Sequence, residues 1–340
     1  MSYQRVIITE FGSPQVLKVI EEVELPEPKL GEVRVKVLVT SATFTDAMIR
    51  KGKYPGIKQK PPFSPGYDLV GIVDKLGEGT NRLQVGQRVA DLTVTGAYSE
   101  YVCLPENRLI PVPEELDPAE AVSLVLSYVT AYQMLHRIAK VEKGQQILIH
   151  GAGGAVGTAM IQLGNLLELK VYGTASKSKH QLVSSLGANP IDYRTEDFVE
   201  QILALTRDGV DASFDPIGGE NLKRSFSVLR QQGILVSYGF YNSVMDKGGS
   251  IPFDLLRLKL WNMLPNGRST AFYSIENLRK RQPAWFSDDL TNLFKLLKQR
   301  KIEPIIFKRL PLSEARQAHE LIEDSKIQGK IILDVASMPL

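Results

Sequence analysis

Residues 147–157 read Ile-Leu-Ile-His-Gly-Ala-Gly-Gly-Ala-Val-Gly, a short apolar β run that enters a glycine cluster. A helical pattern follows from Ala155 to Leu167. A second strand, Lys170–Thr174, comes at the distance of a βαβ unit. Few folds accommodate strand, glycine turn, helix and strand in this order. Gly151 and Gly153 let the backbone turn sharply and approach a ligand with no Cβ in the way. Gly157 lets the helix lie close on its strand. The first N–H groups of that helix, entered through Gly154, Ala155 and Val156, and the positive end of its dipole suit a pyrophosphate. The spacing departs from a strict G-x-G-x-x-G, because the sixth position is Val156.

The end of the second strand reads which dinucleotide. An NAD site wants Asp or Glu there, roughly 20 residues past the glycines, to accept from the ribose 2′-OH. Here the strand runs into Gly173-Thr174-Ala175-Ser176-Lys177-Ser178-Lys179, with no acid. The hydroxyls of Thr174 and Ser176 and the ammonium groups of Lys177 and Lys179 suit a 2′-phosphate. The expected cofactor is therefore NADPH.

The glycine unit is one part of a longer alternation. Asp117-Pro118-Ala119-Glu120 is a helix start, Asp as N-cap and Pro in the first turn, and a helical pattern reaches Arg137. Strand and helix then alternate through Gly233–Tyr238, which argues an α/β, doubly wound parallel sheet with right-handed crossovers. Phe253–Trp261 and Trp285–Lys298 read as further helices. Residues 1–110 differ: Val33–Val39 alternates with period two, Leu69–Val73 and Gln87–Leu92 are short apolar runs, and prolines punctuate them. This predicts an irregular, mostly antiparallel β domain, which the C-terminal strand Gly329–Val335 rejoins. The boundaries expected are 1–125 with 276–340 for the substrate domain, and 126–275 for the dinucleotide domain.

The chain's 340 residues and 43% apolar content support two such cores. The net charge of +3 carries no basic tract, so nucleic acid is not indicated. One cysteine, Cys103, excludes an internal disulfide and every multi-cysteine zinc pattern. No apolar stretch is long enough for a membrane span, and the first residues carry no signal-peptide core, so a cytoplasmic protein is expected.

Pro65-Gly66-Tyr67-Asp68-Leu69-Val70-Gly71-Ile72-Val73, Val85-Gly86-Gln87-Arg88-Val89, His150–Gly157 and Gly329-Lys330-Ile331-Ile332-Leu333, in this order, resemble the medium-chain dehydrogenase/reductase superfamily. The resemblance implies a GroES-like β domain beside a Rossmann domain. Zinc alcohol dehydrogenases of that superfamily carry Cys near position 43, His-Glu at 67 and 68, and a four-cysteine lobe. Here position 43 is Thr, 67 and 68 are Tyr and Asp, and the lobe is missing, so no metal is expected. What remains is similar to the zinc-free branch of quinone oxidoreductases, alkenal and enone reductases and enoyl-thioester reductases, as is Asp46–Pro55.

The resemblance implies hydride transfer from NADPH to a carbon conjugated to a carbonyl, with hydrogen-bond donors meeting the charge on oxygen. Tyr54 falls where enoyl-thioester reductases place a proton-donating tyrosine; it donates or packs over the nicotinamide. Tyr67 stands at the zinc-binding His position and either fills that space or packs inertly. Thr43 stands where quinone reductases often carry Asn near the nicotinamide, and Met48 replaces a common Tyr. Thr130 matches a position whose hydroxyl contacts the nicotinamide end, and Tyr193 one that sets an aromatic against the adenosine phosphate. Gly239, Phe240 and Tyr241 follow a strand at the ligand-binding edge. Lys330 could reach the cofactor or be a surface strand-end lysine. His150 reads as a satisfied structural histidine.

The segment Asn242–Arg268 could be a lid or a subunit contact. Thr270–Tyr273 corresponds to an edge that pairs across the dimer in related reductases, so a homodimer is expected. The leading function is NADPH-dependent reduction of a quinone, enone or alkenal. Lys51, Lys53, Lys58 and Lys60 keep an enoyl-thioester (CoA or carrier-protein) reductase open, and Thr43 and Met48 keep a non-catalytic NADPH-binding sensor or structural protein open.

Overall fold

The computed structural model describes residues 2–245, 248–324 and 326–335. The chain divides into two compact units, Met1–Leu126 with Leu290–Leu340, and Ser127–Asp289. In chain order the first unit contributes β1 (Tyr3–Ile8), β2 (Leu17–Glu22), β3 (Glu32–Ala42), β4 (Leu69–Leu76), β5 (Arg88–Asp91), β6 (Tyr101–Pro105) and β7 (Ile110–Pro111). The second supplies β8 (Gln146–His150), β9 (Lys170–Ala175), β10 (Asn189–Asp192), β11 (Val210–Asp215), β12 (Leu229–Ser237) and β13 (Ser269–Phe272). Then β14 (Ile306–Pro311) and β15 (Lys330–Asp334) return to the first.

In the first unit β3 is the hub. Its period-two pattern turns Val33, Val35, Val37 and Val39 into the core, each no more than 2% exposed. One edge of β3 pairs with β4; the other pairs with β6 over its first half and with β15 over its second. Register shifts after Arg34 and Val37 bend the strand. The sheet order is β14-β15-β3-β4-β5-β7, with β1 and β2 a separate hairpin. The expected irregular β domain is present, and the C-terminal strand does rejoin it. Only the β14–β15 pair within that sheet is parallel.

The second unit is the expected doubly wound parallel sheet, of order β10-β9-β8-β11-β12-β13. Leu148, Phe198, Ile202, Leu222, Leu235 and Leu258 fill one of its cores. Asp117 caps the helix from Pro118 as its sequence predicts, accepting from the N–H groups of Ala119 and Glu120. The helical stretch beyond it widens into π turns at Leu124–Tyr128 and Met134–Ala139. The division between units falls at 289/290, inside the helix Pro283–Lys298, and not near 275/276. The reason is Asp289, fully buried and held by Gln133 Nε2 at 2.9 Å and Arg137 Nη2 at 2.8 Å, which ties the first half of that helix to the second unit.

Gly329 shows how tightly β15 is seated. Its φ is +75°, and a Cβ there would lie 2.0 Å from the Ile305 carbonyl oxygen. Gly329→Ala is expected to lower stability by more than about 3 kcal/mol, because steric overlap with backbone adds to left-handed strain. Gly86→Ala, also at positive φ but with nothing within 4 Å of the added Cβ, should lose only about 1–2 kcal/mol. Urea titration of both variants checks the difference.

Candidate functional site

In the second unit the glycine cluster forms the turn from β8 into the helix Ala155–Leu166. Gly151 has φ +72°, and its N–H and that of Ala152 donate to the Thr174 carbonyl at 3.1 and 3.0 Å. A Cβ on Gly157 would lie 2.4 Å from the Gly151 oxygen, and one on Gly173 would lie 2.5 Å from the Ala152 Cβ. Helix, turn and β9 are therefore packed as closely as backbone allows. Gly154 is the N-cap and has no side chain to satisfy the first helical N–H groups, those of Ala155 and Val156 among them. This backbone fits a dinucleotide's pyrophosphate.

The end of β9 carries a basic cluster. The Lys179 stem lies over the turn: a Cβ on Gly153 would sit 2.7 Å from its Cδ. Burial lowers the Lys179 pKa, and the nearby Arg194 guanidinium lowers it further. Arg194 also lies 5.8 Å from the ring of Tyr193, which is 53% exposed. Ser176 Oγ is 3.2 Å from Ser178 Oγ, and Lys177 is exposed. Sequence reasoning missed Arg194 although it follows the Tyr193 it selected.

Beneath the turn runs a directional hydrogen-bond chain. Asp215 Oδ2 accepts from Ser225 Oγ at 2.7 Å and from Asn221 at 2.8 Å, while Asp215 Oδ1 accepts from the N–H groups of Ile217 and Gly218. With the Ser225 hydrogen so used, His150 Nε2–H donates to Ser225 Oγ at 3.0 Å, and Thr174 Oγ1 donates to His150 Nδ1 at 3.0 Å. Burial holds the His150 pKa down, against the pull of Asp215, so the ring is neutral. Thr174 therefore orients His150 from a buried position.

At the carboxyl edge, Gly239 packs on Pro216, whose oxygen accepts from Tyr241 N. Phe240 turns inward, 5% exposed, and stacks on Phe272 at 5.1 Å. The Thr130 side chain is buried near the Tyr273 phenol, which donates to Gln133 Oε1 at 2.8 Å. In the segment 242–268, residues 246 and 247 lie outside the described residues. A cavity of about 290 Å³ lies beside the rest, lined by Asn242, Phe253, Asp254 and Arg257. Burial raises the Asp254 pKa; its Oδ2 accepts from Gly219 N at 2.8 Å.

The first unit gathers a second polar centre where β3 ends. Asp68 is fully buried. Its Oδ1 accepts from Ser41 N (3.1 Å) and Ser41 Oγ (2.5 Å), and its Oδ2 accepts from Lys330 Nζ at 2.8 Å. Lys330 is thus not an exposed strand-end lysine: at 3% exposure, its ammonium is paired inside the fold with Asp68. Tyr67, also fully buried, shares a 2.6 Å hydrogen bond with the half-buried Tyr54, phenol to phenol, the rings edge-on at 5.8 Å. Thr43 caps the helix Phe44–Arg50 through a capping box with Asp46.

Further in, Arg50 is buried against Gly12 O, Glu323 and His319 Nδ1. Arg50 donates to Nδ1, so His319 Nε2–H points to Tyr98 Oη at 3.1 Å. Burial first, then Arg50, pushes the His319 pKa down to about 3. Among the described residues no cluster of three or more His, Cys, Asp or Glu side chains is gathered as a metal ion requires. No helix among them is long and apolar enough to cross a membrane.

This pairing of a GroES-like β unit with a nucleotide-binding α/β unit is mirrored in known proteins. Residues 29–114 match the alcohol dehydrogenase GroES-like domain and residues 186–333 the zinc-binding dehydrogenase family. The chain is 30% identical over 345 residues to the human synaptic vesicle membrane protein VAT-1 homolog-like, spanning 98% of this chain and 81% of that protein. It is 30% identical over 333 residues to rat quinone oxidoreductase, spanning 96% of each. Among solved structures, Escherichia coli quinone oxidoreductase complexed with NADPH aligns over 98% of this chain and 100% of its own, with TM-score 0.87 and 26% identity. The chain belongs to the medium-chain dehydrogenase/reductase family of oxidoreductases. Within it, quinone oxidoreductases and VAT-1 proteins are its relatives.

Removing one half of the buried pair tests its role. Lys330→Met should destabilise the protein by about 3–5 kcal/mol, since Asp68 is left as an uncompensated buried charge. Asp68→Asn combined with Lys330→Met should recover most of that loss. Denaturant unfolding of the two variants is the measurement.

Proposed function

We propose that this chain is an NADPH-dependent reductase that delivers hydride to a quinone or an α,β-unsaturated carbonyl (enone or alkenal) and uses no zinc. The observation that carries the reading is the acid-free, basic end of β9, with Ser176, Lys177, Lys179 and Arg194 beside a turn whose glycines leave backbone N–H groups for a pyrophosphate. Gly151, Gly153, Gly154, Ala155, Val156 and Gly157 would hold the pyrophosphate, and the basic cluster with Tyr193 the 2′-phosphate end. Gly239, Tyr241 and Thr130 remain candidates for the nicotinamide end. A dihydronicotinamide supplies the hydride.

The acceptor's oxygen gains negative charge as hydride arrives at carbon, and a hydrogen-bond donor must meet it. In our reading Tyr54 supplies that donor, and the buried Tyr67 donates in turn to the Tyr54 oxygen, which strengthens it. The positions at which zinc alcohol dehydrogenases carry ligands hold Thr43, Tyr67 and Asp68. Thr43 Oγ1 bonds Asp46, Tyr67 Oη bonds Tyr54 and Asp68 holds Lys330; a neutral hydroxyl, a phenol and an ion-paired carboxylate are a donor set ill suited to zinc. In the same reading the protein works in the cytoplasm as a homodimer. The exposed Leu256, Leu260 and Phe272 near the edge strand β13 support such a contact, which light scattering of the purified protein would test. Lys51 is paired with Glu323, which weakens the basic groove an enoyl-thioester reductase needs.

The test is NADPH oxidation against a quinone, an enone, an alkenal and an enoyl-CoA, with NADH in parallel. Turnover of the first three with NADPH is expected. Preference for the enoyl-CoA would select the thioester reading, and tight NADPH binding with no turnover would select a sensing or structural role. Tyr54→Phe should lower kcat about 100-fold with NADPH affinity unchanged. Lys179→Met, which keeps the stem over Gly153, should weaken NADPH about 10-fold and leave NADH unaffected, as isothermal titration would read.

A further inference from the structure

Capping boxes usually sit at helix ends open to water, where the carboxylate stays ionised. Here the carboxylate is enclosed. Asp46 has no exposed surface, and every hydrogen bond the geometry gives it comes from neutral groups. Its Oδ2 is 3.0 Å from Thr43 N and 2.5 Å from Thr43 Oγ1, its Oδ1 accepts from Gly66 N at 3.2 Å, and its own N–H donates to Thr43 Oγ1 at 3.2 Å. Thr43 itself is only half-buried, so the residue keeps exposed surface beside the cap.

The charged groups around Asp46 are already committed. Asp68 is held by Lys330 and Ser41. Arg50, one turn along the same helix, serves Gly12 O, His319 and Glu323, and His319 in turn bonds the Tyr98 phenol. Burial raises the Asp46 pKa to about 7, the hydrogen bonds from Thr43 and Gly66 oppose the rise, and the Asp68 charge adds to it.

We propose that Asp46 is a positioning residue whose proton decides whether the Thr43 hydroxyl acts outward as a hydrogen-bond donor or as an acceptor. The hydrogen count makes the two states distinct. With Asp46 ionised, Oδ2 takes both the Thr43 N–H and the Thr43 O–H. Thr43 Oγ1 then accepts from Asp46 N–H, and its remaining lone pair faces outward. With Asp46 protonated on Oδ2, that proton is donated to Thr43 Oγ1. Both Thr43 lone pairs are then filled by Asp46, and the threonine hydrogen is released outward. A substrate oxygen that gains negative charge needs the second state; a carboxamide NH₂ needs the first. Thr43 would act there beside the Tyr54 donor; its nearness to the nicotinamide rests on the family resemblance and the reductase reading, but the hydrogen arrangement does not.

Infrared difference titration of the protein, with aspartate carboxyls isotopically labelled, reads the arrangement without turnover. A protonated carboxyl band that is lost in Asp46→Asn should titrate near neutrality. Thr43→Val, which removes the O–H donor to the carboxylate, should move that transition to higher pH, and Thr43→Ser should restore it. In turnover with an active acceptor, the rate should fall as pH rises through the same transition, and Asp46→Asn, which cannot titrate, should abolish that step. The proposal is overturned if the carboxyl stays ionised wherever the protein is folded, or if Thr43→Val leaves its titration in place. Should no acceptor be reduced, the reductase reading fails while the infrared result still decides this one.

Discussion

A carboxylate with no exposed surface must find hydrogen-bond donors or a counter-charge inside the fold. Asp68 finds Lys330, 262 residues away in sequence. The pair spans the start of β4 and the start of β15, and the strand between them is β3. Ser41 of β3 donates twice to the same carboxylate, and Thr40 donates to the Asp68 carbonyl at 2.6 Å. One buried charge thus registers three strands at the point where β3 hands the chain to Thr43 and its helix. Breaking it costs far more than a surface ion pair would, because neither charge has water to fall back on.

The two units handle buried polarity differently. In the second, the chain Thr174–His150–Ser225–Asp215 ends on a carboxylate stabilised by backbone N–H groups, and each hydrogen has one place to go. Its histidine stays neutral and gives β8, β9 and β11 a fixed arrangement under the glycine turn. In the first, Asp46 is bonded to neutral donors and faces another carboxylate, so its protonation is open to pH. Rigidity thus lies under the glycine turn, and the titratable group lies beside the hydroxyl of Thr43.

The glycine turn, the parallel sheet and the β domain were readable because their signals are local: period two in Val33–Val39, an apolar run into Gly151, helices at the spacing of crossovers. Lys330 was not, because nothing near it in sequence reveals that Asp68 stands opposite. Asp46 shows a different limit. Thr-x-x-Asp is visible as a cap, but its enclosure comes from Gly66, Asp68 and Tyr98, brought in by the loops that precede β4 and β6. The π turns at 124–128 and 134–139 escaped because that stretch is apolar on nearly every side, which leaves no periodicity to read. The unit boundary at 289/290 follows from Asp289 meeting Gln133 and Arg137, again a contact far along the chain.

Both tryptophans of the chain, Trp261 and Trp285, fall in the second unit. Trp261 stacks on Phe226 at 4.6 Å, and the Arg137 guanidinium lies 4.8 Å from the Trp285 ring centroid. Indole emission is therefore a private reporter of the nucleotide-binding half, with a ring partner or a cation at each fluorophore. The β half, built around tyrosines such as Tyr54, Tyr67 and Tyr98, is dark in that channel. Emission compared with far-ultraviolet dichroism, which sees the backbone of both halves, would reveal whether the protein melts as one cooperative body or as two.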